Sequence, residues 1–275
     1  MGVYFSSAMS IVVNRDNIYQ TPISAYDDYI YQHSILANRM WEEEVVETVL
    51  NHLEPDTDVV DIGANIGLIT LGVLQRAKER GVPVSRIHCF ECDTNTFQLL
   101  RMNVAPFSAS VALYPFAVGD TFQLCNIQML EENEGCNHIY RTVGGEGETT
   151  HDYSNLIFTD AFRKLRHCFI PCVPLDSVLY QFQERRVSVL KIDVEGFERE
   201  VLRGAKAFLA LHRPVVVVEA WPIHQTDVIA MMKEMGYETY SKLISTDHHM
   251  NDYVFYPDAG VHSTTVSSVF SETTR

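Results

Sequence analysis

Positive charge is scarce in this chain: 21 Lys and Arg stand against 36 Asp and Glu, a formal net charge of −15. Such a field repels polyanions, so no nucleic acid partner is expected without a local basic patch. The one short basic cluster, Arg163–His167, reads as a solvated helix face. Long apolar runs are missing as well. None approaches the roughly 18 residues of a membrane span, so no span is expected. The first residues carry Ser6, Ser7 and Ser10, with no basic region leading into an apolar core. No secretory signal is therefore expected, and the placement is cytoplasmic. With no sign of export, the six cysteines read as reduced thiols. Cys89 and Cys92 make a C-x-x-C, but no second pair or spaced His pair completes a zinc site.

What is present begins with Asp58-Val-Val-Asp-Ile-Gly-Ala-Asn-Ile-Gly67. Val59, Val60 and Ile62 form a short buried strand that turns through Gly63 and Gly67 into the helical pattern after Leu68. A strand ending in glycines and feeding a helix presents main-chain N–H groups at its carboxyl end. Asp61 adds an acceptor for an amine or other cation. A dinucleotide fingerprint would need Gly-x-Gly-x-x-Gly, and Asn65 stands where its second glycine belongs. That demotes a pyrophosphate cradle. The next strand, Arg86–Cys92, carries Glu91, which can accept both hydroxyls of a ribose. Ribose binding without a pyrophosphate site points to S-adenosylmethionine.

Strands and helices alternate from there. A helix over Trp41–Leu53 precedes the glycine turn, and Ile66–Arg80 closes at Gly81. Asp93 or Thr94 caps a helix reaching Val104. Val111–Val118 reads as one strand and Phe122–Leu130 as another. Residues 131–167 break the rhythm as an insertion or long loop. Order resumes with the strand Val187–Asp193, a helix over Gly196–Leu211, the strand Arg213–Glu219 and a helix over Thr226–Met235. Tyr237–Leu243 and Tyr253–Tyr256 form a terminal strand pair across a Ser245–Asn251 turn. The expected organisation is a cap or lid over 1–40, one domain over 41–257 and a disordered Ser/Thr-rich tail over 258–275. The class is α/β, with a mostly parallel, Rossmann-like sheet covered by helices on both faces. Asp61, Glu91, Gly119, Asp193 and Glu219 should share the rim at the strands' carboxyl ends.

Leu190-Lys-Ile-Asp-Val-Glu-Gly-Phe-Glu198 is the second informative segment. Lys191 and Asp193 share a strand face, and Glu195 opens the turn. Three ionisable groups ending an apolar strand must pair or act. A purely structural Lys191–Asp193 or Lys191–Glu195 pair that merely fixes the turn is the alternative to a functional role.

Taken together, Asp61–Gly67, Phe90-Glu91, Val173-Pro-Leu-Asp-Ser177, Lys191–Glu198, Val201-Leu-Arg-Gly-Ala205 and Pro214–Glu219 resemble the FkbM-type methyltransferases, over roughly residues 41–240. The resemblance implies a class I methyltransferase sheet of seven strands with the last antiparallel. It also implies S-adenosylmethionine as donor and O-methylation of a hydroxyl on a sugar, glycan or small natural product. On this expectation Asp61, Gly63, Ala64, Asn65 and Gly67 hold the methionine end, Glu91 the ribose, and Ala117 through Asp120 flank the adenine. Asp193 is the expected base, with Glu219 and His224 as neighbours, His224 as fallback and Lys191 orienting Asp193. Asp193, Glu219 and His224 would also suit magnesium or manganese, though no spacing demands a metal. The competing classes are an NAD-dependent oxidoreductase and a non-catalytic Rossmann-like binding protein.

Overall fold

In the computed structural model, residues 11–13, 17–25, 29–130, 138–141, 165–182, 185–243 and 251–258 are described. The tail beyond 258, the Ser245–Asn251 turn up to residue 250, and most of 131–167 lie outside them.

The apolar strands come together because alternate residues face two different helix layers. The main sheet contains β3 (Asp58–Ile62), β4 (Arg86–Phe90), β5 (Val111–Tyr114), β10 (Val187–Ile192), β11 (Val215–Ala220), β12 (Thr239–Leu243) and β13 (Asn251–Tyr256). Its order is β12-β13-β11-β10-β3-β4-β5. β13 runs antiparallel to both of its neighbours, and the pairs among β3, β4, β5, β10 and β11 are parallel. This is the class I methyltransferase order. The order reverses between β3 and β10, the place where an open α/β sheet leaves a crevice for ligands.

One face, carrying Val59, Cys89, Val189, Val217 and Val254, packs against α1 (Glu43–Asn51), α2 (Leu68–Arg80) and α3 (Thr94–Val104). The other, carrying Val60, Ile62, Phe90, Leu190, Ile192 and Val218, meets α4 (Glu198–Arg203), α5 (Lys206–His212) and α6 (Gln225–Glu234). The caps anticipated from the sequence are in place. Asp93 accepts from Thr96 N at 2.7 Å at the start of α3, and Gly81 ends α2 with φ +67°.

The expected cap over 1–40 contains β1 (Ile11–Val13), β2 (Ile23–Ala25) and one π-helical turn, Tyr31–Ile35. Tyr19, Ile23, Ala25 and Ile35 are buried in the same apolar cluster as α1–α3. The described part of this segment is thus built into the core.

Three expectations need correction. The strand over Val111–Val118 is two, because Pro115 has no N–H to continue a ladder. After it the chain leaves the main sheet, and β6 (Ala117–Gly119) joins a second sheet of order β6-β9-β7-β8. The presumed loop after Leu130 is in its described parts β structure: β8 (His138–Arg141) and β9 (Leu165–Pro174) flank β7 (Gln123–Leu130). The single helix over Gly196–Leu211 is broken into α4 and α5 at Gly204. A Cβ there would stand 1.8 Å from the carbonyl oxygen of Gly119, so only glycine permits the approach. Asp176 then caps α5 from outside, accepting from Ala207 N at 3.0 Å and Phe208 N at 2.8 Å. That explains the aspartate of the Val173–Ser177 segment: it secures a helix end whose donors would otherwise be orphaned.

Candidate active site

The sheet register assembles the site. Lys191 lies opposite Asp61 on β3 and Val217 on β11. Alternation then puts Asp61, Lys191, Asp193 and Glu219 on one face, and Asp252 of β13 lies opposite Glu219. The valine stripe of that face therefore gives way, at the carboxyl ends, to a row of four carboxylates around one ammonium.

Lys191 is buried, with two hydrogen-bond acceptors and one further ion-pair oxygen around its ammonium. Nζ stands 3.0 Å from Gly63 O, 3.1 Å from Asp193 Oδ2 and 3.3 Å from Asp61 Oδ1. Burial alone would lower its pKa, but Asp193, Asp61 and Glu42 outweigh that and hold it above the ordinary lysine value. Lys191 is a fixed cation that ties the end of β3 to the end of β10. The other oxygen of Asp61 accepts from Thr70 Oγ1 at 2.8 Å. Asp61 is 2% exposed, so it serves the wall of the crevice from within.

The glycines have a structural cause of their own. A Cβ at Gly63 would lie 1.6 Å from the main-chain oxygen of Asp193. One at Gly67 would lie 2.7 Å from Leu100 Cδ1. Both have positive φ, +78° and +90°. Protein packing and backbone conformation, before any ligand, require glycine at each. Gly63→Ala is expected to cost at least about 3 kcal/mol, since strain and a main-chain clash add. A drop in the urea midpoint with little soluble protein would show it; wild-type stability would mean the junction relaxes freely.

Within the turn, Ala64, Ile66 and Gly67 are buried, while Gly63 and Asn65 keep part of their surface. Asn65, at φ +50°, donates its main-chain N–H to Glu91 Oε2 at 3.0 Å. Glu91 Oε1 accepts from Asp93 N at 2.8 Å. Burial is the main cause raising the Glu91 pKa to about 7. Ala117 is buried in β6, and Asp120 follows it half-buried. A Cβ on Gly119 between them would meet Cys172 Sγ at 2.5 Å and the Phe197 ring at 2.9 Å.

Asp193 and Glu219 are joined by a side-chain hydrogen bond. Burial, then Asp193, pushes Glu219 well above the usual carboxylate range. Two groups join this cluster that sequence reasoning missed. Glu42, just before α1, is raised well above its ordinary value by burial and then by Asp193, with Lys191 opposing and Asp252 and Glu195 adding. Asp252 is raised to about 7 by burial and Asp193. The alternation of β13 with β11 was the available signal for Asp252. For Glu42 there was none, because its placement depends on a left-handed residue at φ 44°. Burial and mutual repulsion thus both disfavour the charged forms of Glu42, Glu219 and Asp252.

His224 is brought to a different place. It is 1% exposed, with Nδ1 3.8 Å from Glu198 Oε2, and its ring flanks Gly196. Glu198, fully buried, accepts from Gly196 N at 2.8 Å through its other oxygen. Together they hold the turn at Glu195 and Gly196, where φ is +52° and +96°. Cys89, Cys92, Cys125 and Cys172 are free thiols. Among the described residues, no group of three or more His, Cys, Asp or Glu side chains is arranged to hold a metal ion, and no helix is long and apolar enough to cross a membrane.

Comparison with known proteins places this geometry. An FkbM methyltransferase from Methylobacillus flagellatus is 16% identical, with a TM-score of 0.49 over 73% of this chain and 44% of that one. A Pyrococcus abyssi tRNA (uracil-54, C5)-methyltransferase in complex with S-adenosyl-L-homocysteine is 11% identical, with a TM-score of 0.42 over 90% of this chain and 43% of that one. The AMB antimetabolite synthetase AmbE of Pseudomonas aeruginosa is 28% identical over 210 residues, 69% of this chain. This chain spans only 9% of the synthetase's length. Residues 61–239, from Asp61 at the head of the glycine turn to the start of β12, match the family described as the methyltransferase FkbM domain, and the chain belongs to that family.

Proposed function

We propose that the protein transfers a methyl group from S-adenosylmethionine to a hydroxyl of a sugar, glycan or small natural product. The observation that carries this is the position of Asp193. It follows β10 at the reversal of strand order, its carboxylate held between Lys191 and Glu219, and its main chain against Gly63 of the donor turn.

The donor's methionine end sits against the turn of Gly63, Ala64, Asn65 and Gly67, with Asp61 acting through Lys191. Glu91 takes the ribose hydroxyls, and Ala117 to Asp120 flank the adenine. The donor carries a sulfonium charge, which the acidic rim favours by simple attraction. The acceptor oxygen attacks the methyl carbon in line, and the carbon–sulfur bond breaks with its electron pair left on sulfur. The hydroxyl proton passes to Asp193. The fixed charge of Lys191 keeps Asp193 ionised for this, while Glu219, Glu42 and Asp252 offer hydrogen bonds to neighbouring hydroxyls. A rim of this sign disfavours phosphate-rich acceptors, nucleic acids among them. Buried against Glu198, His224 supports the turn instead of taking the proton.

Two measurements test this reading. Incubation with methyl-labelled donor should label hydroxyl-bearing acceptors as ethers; label found only on nucleic acid or on nitrogen would overturn it. Donor affinity should also depend on Glu91. Ribose hydroxyls favour its ionised form, and its pKa in the free protein is about 7. Affinity should therefore rise with pH up to about 7 and level off above, with protons released on binding below that point. Calorimetry in buffers of different ionisation enthalpy reads the release; a flat profile would remove Glu91 from the ribose site.

A further inference from the structure

We infer that the segment before α1 is part of the donor site's machinery, and that Asn103 couples the two as a positioning residue. The inference rests on the donor assignment above. Asn103 lies on α3 and is 1% exposed. Its amide clasps the main chain of Ser24 in β2 from both sides. Oδ1 accepts from Ser24 N at 2.6 Å, and Nδ2 donates to Ser24 O at 2.9 Å. A carboxamide has the same donor and acceptor pair as a peptide group, so it binds Ser24 as a neighbouring strand would. The second hydrogen of Nδ2 goes to Ile66 O at 2.8 Å, inside the donor turn. One buried side chain thus joins β2, α3 and the carbonyl that precedes Gly67.

Each end of this bridge is otherwise fixed. Ile66 N is held by Asn65 Oδ1 at 2.7 Å, and Asn65 N by Glu91, the proposed ribose acceptor. On the far side, Asn17 holds the chain before β2, with its Nδ2 on Thr21 O at 2.7 Å and its Oδ1 on Tyr19 N at 2.9 Å. Tyr19 donates onward to neither end of the turn; its hydroxyl meets Ser34 and the N–H of Trp41, next to Glu42 of the acidic rim. Residues 17–25 therefore touch the donor turn through Asn103 and approach the acceptor rim through Tyr19, although they themselves lie outside the 61–239 family match. Coupling through a shared buried network is reciprocal: what steadies the turn steadies β2, and the reverse.

The test combines calorimetry with S-adenosylhomocysteine and hydrogen exchange of wild type, Asn103→Ala and Asn103→Asp. The aspartate variant keeps the acceptor for Ser24 N and loses both donated bonds, so it serves if the alanine variant folds poorly. Donor-product affinity should fall about tenfold in either variant. In wild type the ligand should slow exchange at Ile23–Ala25, and in the variants that protection should vanish. A general loss of stability would not remove ligand-induced protection at β2 alone. Unchanged affinity, or protection of β2 that persists without the amide, overturns the inference. If wild type binds no adenosyl compound, the donor assignment falls with it. Exchange at Gly67 and Leu71 in the free protein then decides the coupling: faster in the variants if the bridge exists, equal if it does not.

Discussion

Replacing Lys191 with methionine is expected to cost about 3–5 kcal/mol, the usual result of removing one partner from a buried ion pair. Methionine fills much of the volume, so the loss is electrostatic. Asp61, 2% exposed, would face the gap with only Thr70 donating to it. The carbonyl of Gly63 would lose its donor too, and the donor turn its tie to β10. The pH dependence carries the signature. In wild type, Lys191 has a folded pKa above its unfolded value, so its contribution is fully present below about pH 10.4. The gap between the urea midpoints of wild type and Lys191→Met should therefore be full below about pH 10.4 and narrow as pH rises further. Adding Asp61→Asn should recover part of the loss. A midpoint insensitive to both changes would show that the three contacts contribute no net stability.

Asp193→Asn is the second large effect. The asparagine keeps the shape and an acceptor for Lys191 but cannot take a proton from the acceptor hydroxyl. Turnover should fall by about 10²–10⁴, while donor affinity stays within about threefold. A loss confined to turnover separates proton removal from binding. Equal losses in both would instead make Asp193 a member of the donor wall, reached through its main-chain contact with Gly63. Unchanged turnover would send the search for a base to Glu42 or Glu219, which share the rim.

Much of this site was legible because its parts lie close in sequence. The turn of Asp61–Gly67, the strand end at Glu91 and the Lys191–Gly196 segment each declare themselves by residue type and spacing. Alternation of strands and helices then carries them to one rim, and the observed sheet order agrees. What stayed hidden depends on contacts made across the fold. Asp252 matters because β13 registers against β11, which sets it opposite Glu219. Glu42 joins the rim from a left-handed backbone of its own, just before α1. The break at Gly204 was not read in the helix over Gly196–Leu211, because its reason is the approach of Gly119. Gly63 and Gly67 were legible as glycines that matter; the structure adds Asp193, Leu100 and backbone conformation to the reasons. His224 was read from its place after β11, and its burial beside Glu198 is a contact that no local pattern announces.

The family match and the fold concern the whole domain, while the donor pocket concerns a handful of atoms. Titration of the wild-type protein with S-adenosylhomocysteine, followed by calorimetry, addresses that pocket alone and needs no knowledge of the acceptor. The expected result is one site per chain, with affinity that weakens in Glu91→Ala. Absence of any heat or thermal stabilisation, with the protein shown to be folded, would contradict the account at its root.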